Sequence, residues 1–125
     1  MANVRFDHFA IAVSRWEETS AFYRDLLGAE VVEHTPGHHA FRWAGNQINV
    51  VGPSPFAHPR EEIVAGSADM CFVWPGPVEE AQSYLETRGV EIIAGPMSRP
   101  GAGGPGMSVY FRDPEGNLLE FISYP

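Results

Sequence analysis

Asp7-His8-Phe9-Ala10-Ile11-Ala12-Val13 reads as an extended strand, and its pattern returns 61 positions on at Ala68-Asp69-Met70-Cys71-Phe72-Val73-Trp74. The offset continues through a turn signal: Gly28-Ala29-Glu30-Val31-Val32 falls on Gly89-Val90-Glu91-Ile92-Ile93. Phe41-Arg42 meets Phe111-Arg112 at an offset of 70, and Asn46-Gln47-Ile48-Asn49 meets Asn117-Leu118-Leu119-Glu120 at 71. Two similar halves in one short chain imply two supersecondary units related by a pseudo-twofold. The same alignment pairs polar residues inside otherwise apolar strands, His8 with Asp69 and Asn49 with Glu120. A metal site would draw on such positions.

The first half reads as strand, helix, strand, strand, strand. Phe6–Val13 is a strand, and Ser14 is an N-cap with Glu17 completing a capping box. The helix runs to about Leu27 with Phe22, Tyr23, Leu26 and Leu27 as its apolar face, and Gly28 stops it. Strands follow at 29–34, 39–43 and 46–51, the last two turning at Ala44-Gly45. Residues 52–66 hold Pro53, Pro55 and Pro59 and read as a linker. The second half repeats the order, with a strand at 68–74 and a helix at 78–88 whose Val78, Ala81 and Leu85 share a face. Gly89 stops that helix, a strand follows at 91–94, and 107–112 and 117–122 form a hairpin about Asp113-Pro114-Glu115-Gly116-Asn117. The stretch 95–106 holds five glycines and three prolines. It reads as a mobile connection or a lid over a pocket, and Arg99 within it as a contact for an anionic ligand or a solvated arginine. No Gly-Lys-Ser/Thr ends it, which excludes a phosphate-binding P-loop.

The chain of 125 residues has 44% hydrophobic residues and a net charge of −8, from 8 basic and 16 acidic side chains. That size and composition make one soluble domain. No basic stripe marks a nucleic-acid binder, and no apolar run of ~18 residues marks a membrane span. The start lacks the regions of a signal peptide, and the single cysteine, Cys71, permits no intrachain disulfide; together they point to the cytoplasm.

Strand alternation places His8, Ala10 and Ala12 on one face, with Phe9, Ile11 and Val13 on the other. The bulky set packs under the helix, and the small set suits a cavity. In the last strand Glu120 shares its face with Leu118 and Ile122. An acid within Leu-Leu-Glu-Phe-Ile is costly to bury unless it is paired, hydrogen-bonded or metal-bound. Cys71 should face the same cavity as Asp69, as a small apolar residue or as a thiol beside a metal. His38 or His39 reaches the pocket mouth or begins a strand, and His34 and His58 are surface residues. Arg42 and Arg112 repeat each other as equivalent structural pairings. Trp16, Trp43 and Trp74 are core or interface aromatics, with Trp43 or Trp74 a candidate cavity wall.

These residues resemble the vicinal oxygen chelate superfamily, the glyoxalase, bleomycin resistance protein and dioxygenase family. The resemblance covers nearly the whole chain. It is carried by D-H-F-A-I-A-V at 7–13, A-F-Y-R-D-L-L-G at 21–28 and Y-F-R-D-P-E-G-N-L-L-E-F at 110–121. It implies an α+β fold of two tandem β-α-β-β-β modules, about 4–51 and 67–124, forming an open barrel-like cleft. The family's first-strand histidine falls on His8 and its last-strand glutamate on Glu120. The start of the second unit's first strand, commonly histidine in the family, is Asp69, and the remaining position is Asn49.

The resemblance therefore implies one divalent metal held by His8, Asp69 and Glu120, with Asn49 a weak ligand or a group just behind the ligands. One imidazole and two carboxylates favour Mn²⁺ or Mg²⁺, with Zn²⁺, Ni²⁺ and Fe²⁺ open. Such a metal chelates vicinal oxygens of a small substrate, and Glu120 acts as proton carrier. The implied chemistry is of isomerase, lyase or transferase type. Two alternatives stand beside it: a metal-free module that sequesters a small molecule or antibiotic, and an extradiol-type dioxygenase needing Fe²⁺ and oxygen. The family commonly forms homodimers, and no nucleic-acid or membrane partner is implied.

Overall fold

The computed structural model describes residues 3–52 and 63–125, arranged as two compact units, residues 1–66 and 67–125. Pro53, Pro55, Pro59 and His58, and with them most of the expected linker, lie outside the described residues.

The first unit runs β1 (Phe9–Ala12), α1 (Trp16–Asp25), β2 (Glu30–Thr35), β3 (His38–Trp43) and β4 (Asn46–Val51). Its sheet has the order β1-β4-β3-β2, with β1 parallel to β4 and the other pairs antiparallel. The second unit runs β5 (Asp69–Val73), α2 (Val78–Thr87), β6 (Ala94–Gly101), β7 (Gly104–Arg112) and β8 (Leu118–Ser123), in the order β5-β8-β7-β6. Register reproduces the sequence repeat residue by residue. Phe9 pairs with Ile48 as Met70 pairs with Leu119, Ala10 with Asn49 as Cys71 with Glu120, and Phe41 with Ile48 as Phe111 with Leu119. Each unit is thus an α+β module built on a mixed four-stranded sheet, and neither described sheet closes on itself.

Each sheet buries one face under its own helix. In the first unit Phe41 is fully buried, stacked on Tyr23 at 4.5 Å and on Trp16 at 5.9 Å, and Trp43 Nε1 donates to the Leu27 carbonyl at 2.7 Å. In the second, fully buried Leu85 and Ala81 of α2 belong to a core with Phe111 and Phe121, whose rings lie 4.8 Å apart. Trp74 packs on Phe121 at 5.2 Å. Aromatic side chains of this size each contribute ~2–3 kcal/mol on full burial, so these stacks hold the helices down.

Several element expectations need correction. Strand β1 begins at Phe9, which leaves Phe6, Asp7 and His8 ahead of the ladder. The N-cap of α1 is Arg15, one residue beyond the expected Ser14, with no side-chain capping bond of its own, and the Thr19 N–H donates to the Arg15 carbonyl at 2.9 Å. The helix keeps Glu17 and Glu18 in its first turn, where they suit the helix dipole. Residues 91–93 precede β6 instead of forming a strand.

The larger correction concerns 95–106. It is neither a mobile connection nor a lid but the body of a β-hairpin, β6 and β7 meeting at Ala102-Gly103 with Gly101 opposite Gly104. Its glycines serve close approach. A Cβ on Gly101 or Gly103 would strike the Tyr124 ring, and one on Gly106 would strike Ile122. The Gly103 N–H donates to Tyr124 Oη at 3.0 Å, so the chain end clamps the hairpin tip.

Candidate functional site

In the second unit, the face of the sheet turned away from α2 carries the candidate site residues. Register places Cys71 of β5, Glu120 of β8 and Tyr110 of β7 side by side across three strands. Asp69 lies one alternation before Cys71, and Ser108 one before Tyr110, on the same face. Glu120 is half-buried on the central strand, and Ser108, completely buried, donates its hydroxyl to Glu120 Oε2. From β6, Arg99 Nε donates to Tyr110 Oη at 3.1 Å.

The electrostatics follow from the two carboxylates. Partial burial first, then the charges of Glu120 and Asp69, push the Cys71 thiol up to about 12, so it remains protonated at neutral pH. Burial and the Glu120 charge likewise raise the Tyr110 phenol above its usual range, against a smaller lowering by Arg99. Around Glu120 the unit therefore presents hydroxyl, thiol and phenol in their neutral, hydrogen-bearing forms.

Strand β5 is set against β8 by the Asp-Pro-Glu-Gly-Asn turn. Asp113 Oδ1 accepts the Glu115 and Asn117 N–H groups at 3.0 and 2.9 Å, and Asn117 Nδ2 donates to Asp113 Oδ2 at 2.8 Å. Asn117 Oδ1 then accepts the Ala68 N–H at 2.9 Å, next to Asp69. The turn chemistry seen in sequence thus has a second task, to align the candidate ligand Asp69 with the strand that carries Glu120.

In the first unit, the corresponding face carries Ala10, Ala12, Ala40, Arg42, Gln47 and Asn49. Arg42 Nε donates to Gln47 Oε1 at 3.0 Å, and Gln47 Nε2 donates to Asn49 Oδ1 at 2.7 Å. Asn49 is buried, and the oxygen it would offer a metal already accepts a hydrogen bond. His8 stands exposed with Nδ1 2.5 Å from Asp7 Oδ2. When Nδ1 carries the proton into that contact, Nε2 keeps the lone pair, the form in which histidine binds metals.

Within the second unit the structure brings Asp69 and Glu120 to one face with Cys71, and within the first it sets His8 and Asn49 at and beside the β1–β4 pair. Among the described residues no three His, Cys, Asp or Glu side chains gather as a preformed metal cluster. The donor types nonetheless fit a divalent ion: oxygen donors held by hydrogen bonds and an imidazole oriented by a carboxylate.

Other sequence expectations move. Arg42 and Arg112 are not equivalent pairings, because Arg112 Nη1 donates to the Gly116 carbonyl while Arg42 bonds Gln47. The cause is local: the position matching Gln47 is Leu118, which offers no acceptor. His39 turns to the helix side, 4.4 Å from the Trp16 ring and 3.2 Å from Glu33, and His38 contacts the Pro36 carbonyl. An open cavity of about 730 Å³ lies beside the start of α2, lined among others by Val78, Met107 and Tyr124. It includes none of Asp69, Cys71 and Glu120, so it is distinct from the candidate site. Ser108, Tyr110 and Gln47 do not stand out in the sequence alone. Extending the face parity of Glu120 back across the 113–117 turn would have found Ser108 and Tyr110.

No described helix is long and apolar enough to cross a membrane. The family model of the Glyoxalase/Bleomycin resistance protein/Dioxygenase superfamily matches residues 5–121. A virulence protein of Salmonella typhimurium is 35% identical over 96% of this chain and 84% of its own. Its crystal structure superposes with a TM-score of 0.90 at 34% identity, covering 100% of both chains. A glyoxalase domain-containing protein of Mycosarcoma maydis is 35% identical over 94% of this chain and 67% of its own. An integron cassette protein from the mobile metagenome of Vibrio cholerae gives a TM-score of 0.90 at 34% identity over 100% of this chain and 98% of that one. With the repeated module, the strand register and this match over nearly its whole length, the chain belongs to the Glyoxalase/Bleomycin resistance protein/Dioxygenase superfamily.

Proposed function

We propose that the protein is a divalent-metal-dependent enzyme acting on a small oxygenated substrate, with His8, Asp69 and Glu120 as metal ligands and Asn49 just behind them. The observation that carries this reading is Glu120, a half-buried acid in the middle of an apolar central strand, gripped by a fully buried serine and facing a helix-free surface. A carboxylate with no task is rarely kept at such a place, since its desolvation is costly. When bound, the metal supplies Lewis acidity toward vicinal oxygens and stabilises developing negative charge.

The chain's own residues do the rest. Asp7 orients the His8 ring, Gln47 fixes the Asn49 amide, and Asp113 with Asn117 aligns β5 and so Asp69. Glu120 serves as proton carrier, with the neutral Tyr110 and Ser108 hydroxyls beside it to receive hydrogen bonds or donate them. Chemistry of isomerase, lyase or transferase type fits this set, in which a proton is moved next to a chelated oxygen. The ligand set of one imidazole and two carboxylates supports Mn²⁺ or Mg²⁺ ahead of Fe²⁺ oxygen chemistry. The same reading takes the chain as a cytoplasmic homodimer, supported by its lone cysteine and by Val4 and Phe6, which are 86% and 77% exposed ahead of edge strand β1.

The test is metal content after separate loading with Mn²⁺, Fe²⁺, Ni²⁺ and Zn²⁺ and dialysis, for the native protein and for His8→Ala and Glu120→Gln. About one ion per chain in the native protein, lost in both variants with the fold intact, is the expected result. Equal metal content in all three removes the assignment. No retained metal under any loading converts the reading to a protein that sequesters a small molecule.

A further inference from the structure

We propose that Ser108 is a positioning residue for Glu120, fixing the rotation of its carboxylate so that it meets a metal ion in one orientation; this rests on the metal-enzyme reading above. Ser108 is completely buried on β7, opposite the buried, apolar Ile122 of β8. Its one described side-chain partner is Glu120 Oε2. The bond runs diagonally between adjacent strands, because Ser108 stands opposite Ile122 and Tyr110 opposite Glu120. A serine two residues back on the neighbouring strand reaches one carboxylate oxygen from the side, leaving the carboxylate's own direction along the open face unchanged.

Rotation matters because Glu has three side-chain torsions, and the last, about the carboxylate bond, is broad and nearly free. Cys71 and Tyr110 flank Glu120 from the two adjacent strands, within hydrogen-bonding reach of its carboxylate, and narrow its lateral freedom. Neither strand backbone fixes the carboxylate plane, since β8 spends its backbone groups on β5 and β7. Ser108 holds Oε2 from the diagonal position, beside the contacts of Cys71 and Tyr110. Ligating carboxylates are in turn hydrogen-bonded in metal sites, and loss of such a partner typically costs 10–100-fold in affinity.

The experiment is calorimetric titration of Mn²⁺, then of Zn²⁺, into the native protein, Ser108→Ala and Ser108→Thr, with the melting temperature of each metal-free protein measured in parallel. Ser108→Ala should bind at least ~10-fold more weakly, and Ser108→Thr, which keeps the hydroxyl, within ~3-fold of native. A purely structural serine would lower the metal-free melting temperature and leave the affinity unchanged, and that outcome overturns the proposal while the metal reading stands. If Ser108→Ala does not fold, Ser108→Cys, a near-isostere with a weaker donor, takes its place, and native-like affinity there overturns the proposal equally. If the native protein binds neither ion, the metal reading fails first and the role of Ser108 falls with it.

Discussion

Replacing Asn117 by Ala should destabilise the second unit by ~3 kcal/mol, and the size follows from its bonds. Asn117 is 1% exposed, so neither end of its amide has ready access to water. Its Oδ1 accepts the Ala68 N–H at 2.9 Å, and its Nδ2 donates to Asp113 Oδ2 at 2.8 Å. Truncation orphans the Ala68 N–H, at ~1–3 kcal/mol, and removes a charge-assisted bond of ~1.5–3 kcal/mol. Asp113 keeps the backbone N–H groups of Glu115 and Asn117, and the Leu118 N–H to Ala68 carbonyl bond at 3.0 Å still joins the strands, so the loss should fall near the lower end of the combined range. The assay is urea unfolding of a protein whose Trp16 and Trp43 are replaced by Phe, so that Trp74, packed on Phe121, reports the second unit. With a denaturant slope of ~1–3 kcal/mol/M, the midpoint should fall by ~1–3 M. Asn117→Asp, which keeps the acceptor but sets a second carboxylate against Asp113, should be no more stable than the alanine variant. A loss below ~1 kcal/mol for Asn117→Ala would refute the claim that this side chain ties β5 to β8.

Three further outcomes are expected from the same face and the same hairpin. With its thiol pushed up to about 12, Cys71 is almost wholly protonated at pH 8, whereas an ordinary thiol is roughly a fifth thiolate there, so alkylation should run at least ~100-fold slower than in a denatured control; Glu120→Gln should speed it, and native alkylation at the unfolded rate would show that burial and the two carboxylates do not act on the thiol as described. The raised value also has a sign for stability: the contribution is intact below the unfolded thiol pKa near 8.5 and is lost as pH rises toward 12, so urea midpoints should be insensitive to this group up to pH 8 and decline above pH 9. Gly101→Ala should drive Tyr124 off the hairpin tip, because the new Cβ occupies the place of the phenol oxygen, and should speed amide exchange at Gly103, which loses its acceptor; unchanged exchange there would mean that Tyr124 does not clamp the tip.

Much of the fold is legible in the sequence because its repeat is written in two independent ways. Apolar alternation fixes the faces of β1, β4, β5 and β8, and Gly28 and Gly89, both at positive φ, mark the ends of both helices at the same offset of 61. Two periodic signals that agree leave little freedom for register, since a slip of one residue would turn Glu120 into the core and Phe121 out of it. What failed was composition used as a proxy for mobility. Glycine and proline in 95–106 suggest looseness, yet three of those glycines are where Tyr124 and Ile122 come close to the backbone, a requirement set by residues about 20 positions further on and invisible to a local window. The candidate site is legible only as far as its residues' identities. His8, Asp69, Asn49 and Glu120 stand out because a polar residue in an apolar strand is conspicuous by itself. Ser108 and Tyr110 do not, since serine and tyrosine are ordinary in a strand, and only the pairing of β7 with β8 turns them toward Glu120. A carboxylate's identity is local information; the direction in which it is held belongs to the neighbouring strand. Candidate polar residues are therefore easier to read from a chain than the hydrogen bonds that orient them.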